Sequence, residues 1–422
     1  MLIRNERKRL SGLYSFCLLA GFVTLVLVRL PIIAEQSGRF WAEEGVVYFL
    51  NAWTWPWWQA WFAIHTGYIN FIAGFGTWLG LALGGASHAP LVTLLVSLLV
   101  QALAPFIILT HDFPWRRSRL ACLAAVALCA LPPATGEVWL NTITSQFHFA
   151  LAAALILAAP ATEGALLIFD IIVLAVGVLS GPATSFLMPL FVLRALITRR
   201  KSDILFAFVI FIGLCVQAGA YVTHPEPARN GHLSAMQLLS VVALHVVVLN
   251  FAGVDQAGHL SAYISRLYEQ HAFLWPGLAI MLVFYAILAW GVARCGRFTP
   301  VLLLLLLAQA VFAFVSFDNA LYGDFTGSMS VVGGQRYAFA PMVLTGLILT
   351  GCACAASGVR KLVCIAATLL LLAVGSLNFR AGTDLFANGP AWSTQIAAWR
   401  KNPRFVVSVW PDHWYMTLPP RH

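Results

Sequence analysis

The chain has 422 residues, of which 60% are hydrophobic and 10% charged, and its mean hydropathy is +0.84. That composition excludes an ordinary soluble globular domain, and continuous apolar runs in place of short alternating segments exclude a transmembrane β-barrel. The net charge of +9 is carried by short basic loops, which points to membrane orientation and not to nucleic acid.

Apolar runs long enough to cross about 30 Å of hydrocarbon recur from end to end. Spans are expected over 13–34, 90–110, 118–133, 146–160, 164–180, 183–197, 203–222, 271–293, 299–317, 336–357 and 361–377. The expected fold is an all-α polytopic transmembrane bundle of about eleven spans, or up to thirteen if the apolar stretches 69–86 and 236–253 also cross. The basic loops Arg116–Arg119, Arg199–Lys201, Arg294–Arg297 and Arg360–Lys361 should be cytoplasmic. Full crossing of both extra stretches would put two of these loops outside, so each stretch is expected to be re-entrant or to lie along the interface. The first holds Gly74, Gly76, Gly80, Gly84 and Gly85; the second holds His245 and runs into the polar segment Asp255–His271. Such interruptions are tolerated at membrane depth where protein or a water-filled cavity covers the backbone.

The basic stretch Arg4–Arg9 precedes a long apolar run with no small-residue cleavage site, which reads as a retained first span with its amino terminus in the cytoplasm. Residues 1–377 then form the membrane domain, 35–68 its first extracytoplasmic loop, and 378–422 a short outer cap. The other polar segments expected on that face are 134–145, 223–235 with 254–270, and 318–335.

Three constellations can carry chemistry. The first is Arg39-Phe-Trp-Ala-Glu43-Glu44-Gly-Val-Val-Tyr48, since carboxylates beside a membrane are costly to keep. A helix over 40–51 would pair Arg39 with Glu43 and Glu44 with Tyr48. Its two glutamates would point about 100° apart, so one pocket would admit one of them. A second short helix is expected over 55–65, with Pro56 in its first turn and His65 at its end. Its tryptophans also suit an interfacial aromatic belt. The second constellation runs from Pro132 to His148 and holds Glu137, Asn141, Gln146 and His148; helix capping and interhelical hydrogen bonding are the alternative to ligand contact. The third is Gly333-Gly-Gln-Arg336-Tyr337, where an arginine at a glycine-led helix start suits either a phosphate or lipid headgroups.

No Walker loop, G-x-G-x-x-G, H-E-x-x-H, D-x-D or serine elbow is present. The eight cysteines are scattered, and Cys352-x-Cys354 has no second pair to make a metal site. His224, His232 and Glu226 share a loop without a further ligand cluster.

In this order the three constellations resemble the integral-membrane glycosyltransferases of the GT-C superfamily, which use polyprenyl-phosphate sugars. The stretch from Arg39 to Glu44 looks like their acidic motif on the first extracytoplasmic loop, and 55–65 looks like the juxtamembrane helix that follows. Glu137–His148 and Gly333–Tyr337 look like polar turns of bacterial members. The chain departs from the pattern in carrying Glu-Glu where many members carry Asp or Asp-Glu, and its carboxyl-terminal region is short. The resemblance implies an inverting transferase in a bacterial inner membrane, working on the extracytoplasmic face. The donor would be a polyprenyl-phosphate-linked sugar, and the acceptor a glycan or a lipid-linked glycan. The resemblance implies a carboxylate base, with Glu44 favoured and Glu43 paired to Arg39, and substrate contacts from Arg39, Tyr48, His65, Glu137, Asn141, Gln146, His148, Arg336 and Tyr337. Membrane lipids are the expected surroundings; no particular cofactor is implied, and a divalent metal is left open. A flippase of lipid-linked glycans would instead place paired repeats and polar groups near the midplane. A polymerase or ligase would carry a large arginine-rich outer loop.

Overall fold

The computed structural model describes residues 11–226, 231–318, 320–384 and 388–420; the basic stretch 4–9 lies outside the described residues. Helices dominate it, as the continuous apolar runs require. Eight of them are long and apolar enough to cross a membrane, or nine if the bent pair Ala165–Leu179 and Pro182–Thr198 counts as one span. The coarse expectation of a polytopic helical bundle holds; by length and composition eight or nine helices qualify among the described residues, fewer than the eleven spans expected. One reason is that pair, which bends by 117° at a break of Ser180 and Gly181. Another is Arg119–Ala130, whose 12 residues reach only about 18 Å at 1.5 Å per residue.

The bundle is organised around two helices. Ser145–Ala158 is buried along its whole length, and Gln335–Ala355 is buried over nearly all of its span. Both are apolar on every side except at their first turns, the pattern of a helix surrounded by protein. Thr345 and Thr350 keep their hydroxyls satisfied by bonding back to the carbonyls of Pro341 and Gly346.

Both stretches that disturbed the span count turn back on themselves. Phe71–Gln101 contains Gly85 at φ 57 and ψ −171, a conformation open to glycine and strained for other residues. A side chain on Gly80 would meet the carbonyl of Ala89 at 2.8 Å, and one on Gly76 would meet Val96 at 3.5 Å. In a straight helix positions 76 and 96 would lie about 30 Å apart, so 71–84 and 86–101 form an antiparallel hairpin. Gly253, at φ 84, does the same for 235–252 and 254–269. His245 hydrogen-bonds the carbonyl of Ser328, and Ser261 donates to that of Met329. In the first hairpin Gly80 and Gly84 form the seam against Ala89 of the returning arm, while Gly74 lets residues 60–61 approach closely. Gly80→Val is expected to separate the first pair of arms and to lower the detergent-solubilised thermal midpoint by several degrees, because the neighbouring carbonyl cannot move aside; an unchanged midpoint would mean that the arms do not depend on this contact.

At one end of the bundle a second, smaller apolar core joins Phe40, Phe49 and Trp53 to Trp392, Ile396, Val407, Val409 and Leu418. The carboxyl-terminal segment supplies helix Trp392–Lys401 and an antiparallel pair in which Val407 faces Met416 and Val409 faces Trp414. It grips the acidic loop through the backbone: Ala42 N–H donates to Trp410 O at 2.5 Å, and Trp410 N–H donates to Phe40 O at 3.2 Å.

Candidate active site

The acidic loop does not form the single helix expected over 40–51. Ala42 adopts φ 47, and Glu44–Phe49 winds as a π-helix before Leu50–Thr54 continues as α. This changes the phase at which side chains emerge, and it separates the two glutamates. Glu43 is half-buried and lines a cleft at this end of the bundle. Glu44 is fully buried and turned away from it. One oxygen of Glu44 accepts from Thr142 N–H at 2.7 Å and Thr142 Oγ1 at 2.5 Å, and the other accepts from Trp41 N–H at 3.1 Å. Burial pushes the Glu44 carboxyl above the usual carboxylate range, while these hydrogen bonds and the Arg39 charge oppose the shift. Arg39, expected beside Glu43, lies near enough for its charge to act on the Glu44 carboxyl. Arg39 lies between Trp41 and Trp410, 4.5 and 5.0 Å from their ring centres. Burial draws its guanidinium down to about 9, which leaves it cationic at neutral pH.

The expected helix 55–65 is shorter. Pro56 precedes a five-residue helix, Trp57–Trp61, and the chain then makes a tight hairpin in which Ile64 pairs with Ile69 and His65 with Tyr68. Gln217 clamps the hairpin's end, accepting from Ile69 N–H and donating to Ile69 O, each at 3.0 Å.

The cleft, about 160 Å³ in volume, collects side chains from far-apart parts of the chain. Glu43 and Tyr48 come from the acidic loop, His65, Thr66 and Tyr68 from the hairpin, and Thr144 and Gln146 from the start of Ser145–Ala158. Ser316 ends helix Thr299–Asp318, and Arg336 and Tyr337 open helix Gln335–Ala355. Pro182, Ala183 and Phe186 add the turn after the bent helix. Two long helices thus begin on the cleft, at Thr144 and at Gly334, and neither start is closed by a side-chain cap. Their aligned dipoles favour an anion there, while the N–H groups of Ser145, Phe147 and Tyr337 already donate to the carbonyls of Thr142, Thr144 and Gly334.

Six expected residues line the cleft: Glu43, Tyr48, His65, Gln146, Arg336 and Tyr337. The others support it from behind. Glu137 holds Arg336 through a 2.7 Å ion pair, and its own N–H donates to Gln335 Oε1. Asn141 braces the turn before Ser145: its Nδ2 donates to Glu137 O, and its Oδ1 accepts from both Thr144 N–H and Thr144 Oγ1. His148 points inward, bonded to Val138 O at 3.0 Å and packed against Trp139 and Phe339. Sequence reasoning missed the polar lining residues Thr66, Tyr68, Thr144 and Ser316. The Thr66-Gly67 pair was a readable turn signal, but two-residue strands show no periodicity to accompany it.

Chemically, the cleft offers a partly solvated carboxylate, one arginine fixed by a carboxylate behind it, two helix amino termini, and several hydroxyls and aromatic rings. Among the described residues no group of three or more His, Cys, Asp or Glu side chains is arranged to hold a metal ion. The chain matches no protein-family model, and comparison with curated proteins returns no match.

Proposed function

We propose that the protein is an inverting glycosyltransferase of the GT-C type that moves a sugar from a polyprenyl-phosphate donor to a hydroxyl of a glycan or lipid-linked acceptor. The observation that carries this reading is that Glu43 and Arg336, nearly 300 residues apart in sequence, line one cleft. Arg336 and the two helix amino termini would hold the phosphate of the donor and stabilise it as the glycosidic bond breaks and charge collects on its oxygen. Glu43 would take the proton of the acceptor hydroxyl as that oxygen attacks the opposite face of the anomeric carbon. A single base suffices for such a displacement, and the products are the new glycoside and the free lipid phosphate. The acceptor proton ends on Glu43.

The distribution of basic loops supports a site on the extracytoplasmic face. Helix Gln335–Ala355 starts at the cleft, and its 21 residues carry the chain about 31 Å to its far end. At that end the basic loops meet, with Arg117 over Phe298 and Arg360 over Trp290. Basic loops face the cytoplasm, so the cleft faces away from it. Nucleotide sugars are not available there, which favours a lipid-phosphate donor.

Purified protein in nanodiscs, given radiolabelled polyprenyl-phosphate glucose, galactose, mannose or arabinose and a panel of octyl glycosides, should form a labelled product with one of the donors. Arg336→Ala should then raise the donor KM by about tenfold or more, as expected for the loss of a charged contact to phosphate. An Arg336→Ala protein with unchanged donor KM would remove the phosphate assignment, and a wild-type protein inactive with every donor would remove the reading itself.

A further inference from the structure

The hairpin at 64–69 carries a threonine at a turn position whose backbone geometry favours asparagine or glycine. Its two-residue turn, Thr66-Gly67, has φ 48 and φ 81. Positive φ at both central positions is the geometry that favours Asn-Gly or Gly-Gly. Gly67 meets that requirement and also lies tight against helix Lys201–Thr223, where a side chain would come within 2.9 Å of Tyr221. Thr66 does not meet it. A β-branched residue in the left-handed region is an outlier, and backbone strain of this kind persists where the surroundings fix it and function gains from it.

Position gives the strain a purpose. The residue before the turn, His65, lies edge-on to Tyr48 with ring centres 6.3 Å apart, on the Glu43 side of the cleft. The residue after it, Tyr68, also lines the cleft. Thr66 thus sits between two cleft-lining residues, and it lines the cleft itself. The clamp from Gln217 and the packing of Gly67 hold the turn against the bundle, so its side chains are presented at a fixed place. This wall offers a carboxylate, an imidazole, a hydroxyl and two phenols, a set suited to an uncharged, hydroxyl-rich molecule.

We propose that Thr66 is a specificity-determining residue for the acceptor, its hydroxyl and methyl group meeting the sugar whose hydroxyl is deprotonated at Glu43. The assignment rests on the transferase reading and goes beyond it by dividing the cleft into a donor side at Arg336 and an acceptor side at the hairpin.

Thr66→Asn provides the test, because asparagine suits this turn better than threonine and the variant should fold at least as well. With the labelled donors and octyl glycosides above, the acceptor KM should rise by about tenfold or more. The donor KM should stay within about twofold, and the thermal midpoint should be unchanged or higher. Thr66→Ser, which keeps the hydroxyl, should restore most of the acceptor affinity. An acceptor KM within twofold of wild type in Thr66→Asn, or a donor KM that rises by the same factor, overturns the assignment while leaving the transferase reading intact. A wild-type protein that transfers none of the sugars overturns both.

Discussion

Glu43→Gln is expected to reduce the transfer rate by about two to four orders of magnitude, the usual contribution of a positioned general base. The substitution keeps the shape and size of the side chain and removes its ability to take a proton. Glu43 is half-buried and borders the cleft, so a neutral side chain there leaves no charge stranded inside the protein and should fold normally. The loss should fall on kcat, with donor and acceptor KM values nearly unchanged, because a base acts mainly in the transition state. Single-turnover transfer from a labelled polyprenyl-phosphate sugar would show it. A Glu43→Gln protein with wild-type kcat would mean that the acceptor hydroxyl needs no base at this position.

Acids next to an apolar span are rare enough to mark 39–48 as a site. Glycine before Arg336 marked a helix start that could meet an anion, and these two segments do share a cleft with Tyr48, His65, Gln146 and Tyr337. Which glutamate faces the cleft was not legible. The 100° offset between neighbours assumes an α-helix, and the left-handed Ala42 followed by a π-helix breaks that phase. Sequence patterns report such a break only when a glycine or proline announces it, and Ala42 is neither. Asn141 and His148 were misplaced for a related reason. Their direction depends on where helix Ser145–Ala158 begins, and helix starts are among the least readable features of a sequence. The span count turned on a different point. Hydropathy measures the length of an apolar run and does not show that 164–197 bends by 117° at Ser180 and Gly181 or that the helix inside 118–133 is only Arg119–Ala130. The conflict with the basic loops did mark 69–86 and 236–253 as unusual. Only the contacts of Gly80 with Ala89 and of His245 and Ser261 with 328–329 identify the reversal.

Glu44→Ala is expected to destabilise the folded protein by about 3–5 kcal/mol, the range seen when one partner of a buried charged network is removed. Three donors, Thr142 N–H, Thr142 Oγ1 and Trp41 N–H, would lose their acceptor in a site closed to water. Arg39 would lose the Glu44 charge that favours its cationic form. These bonds tie the acidic loop to the turn that begins helix Ser145–Ala158, so their loss also frees Glu43 from Thr144 and Gln146 across the cleft. Activity should therefore fall together with the thermal midpoint. Glu44→Gln separates structure from chemistry. Its amide oxygen can still accept from Thr142, and only the bond from Trp41 N–H is replaced by two facing donors, a loss of about 1–3 kcal/mol. At a temperature where the variant is fully folded, it should keep most of the wild-type rate, because Glu44 positions the loop and does not meet the acceptor. The pair of glutamine variants thus gives opposite patterns for the two glutamates: Glu43→Gln folded and slow, Glu44→Gln less stable and active. The reverse pattern, with Glu44→Gln folded but inactive and Glu43→Gln active, would return the base to Glu44 and would require the loop to rearrange when substrate binds.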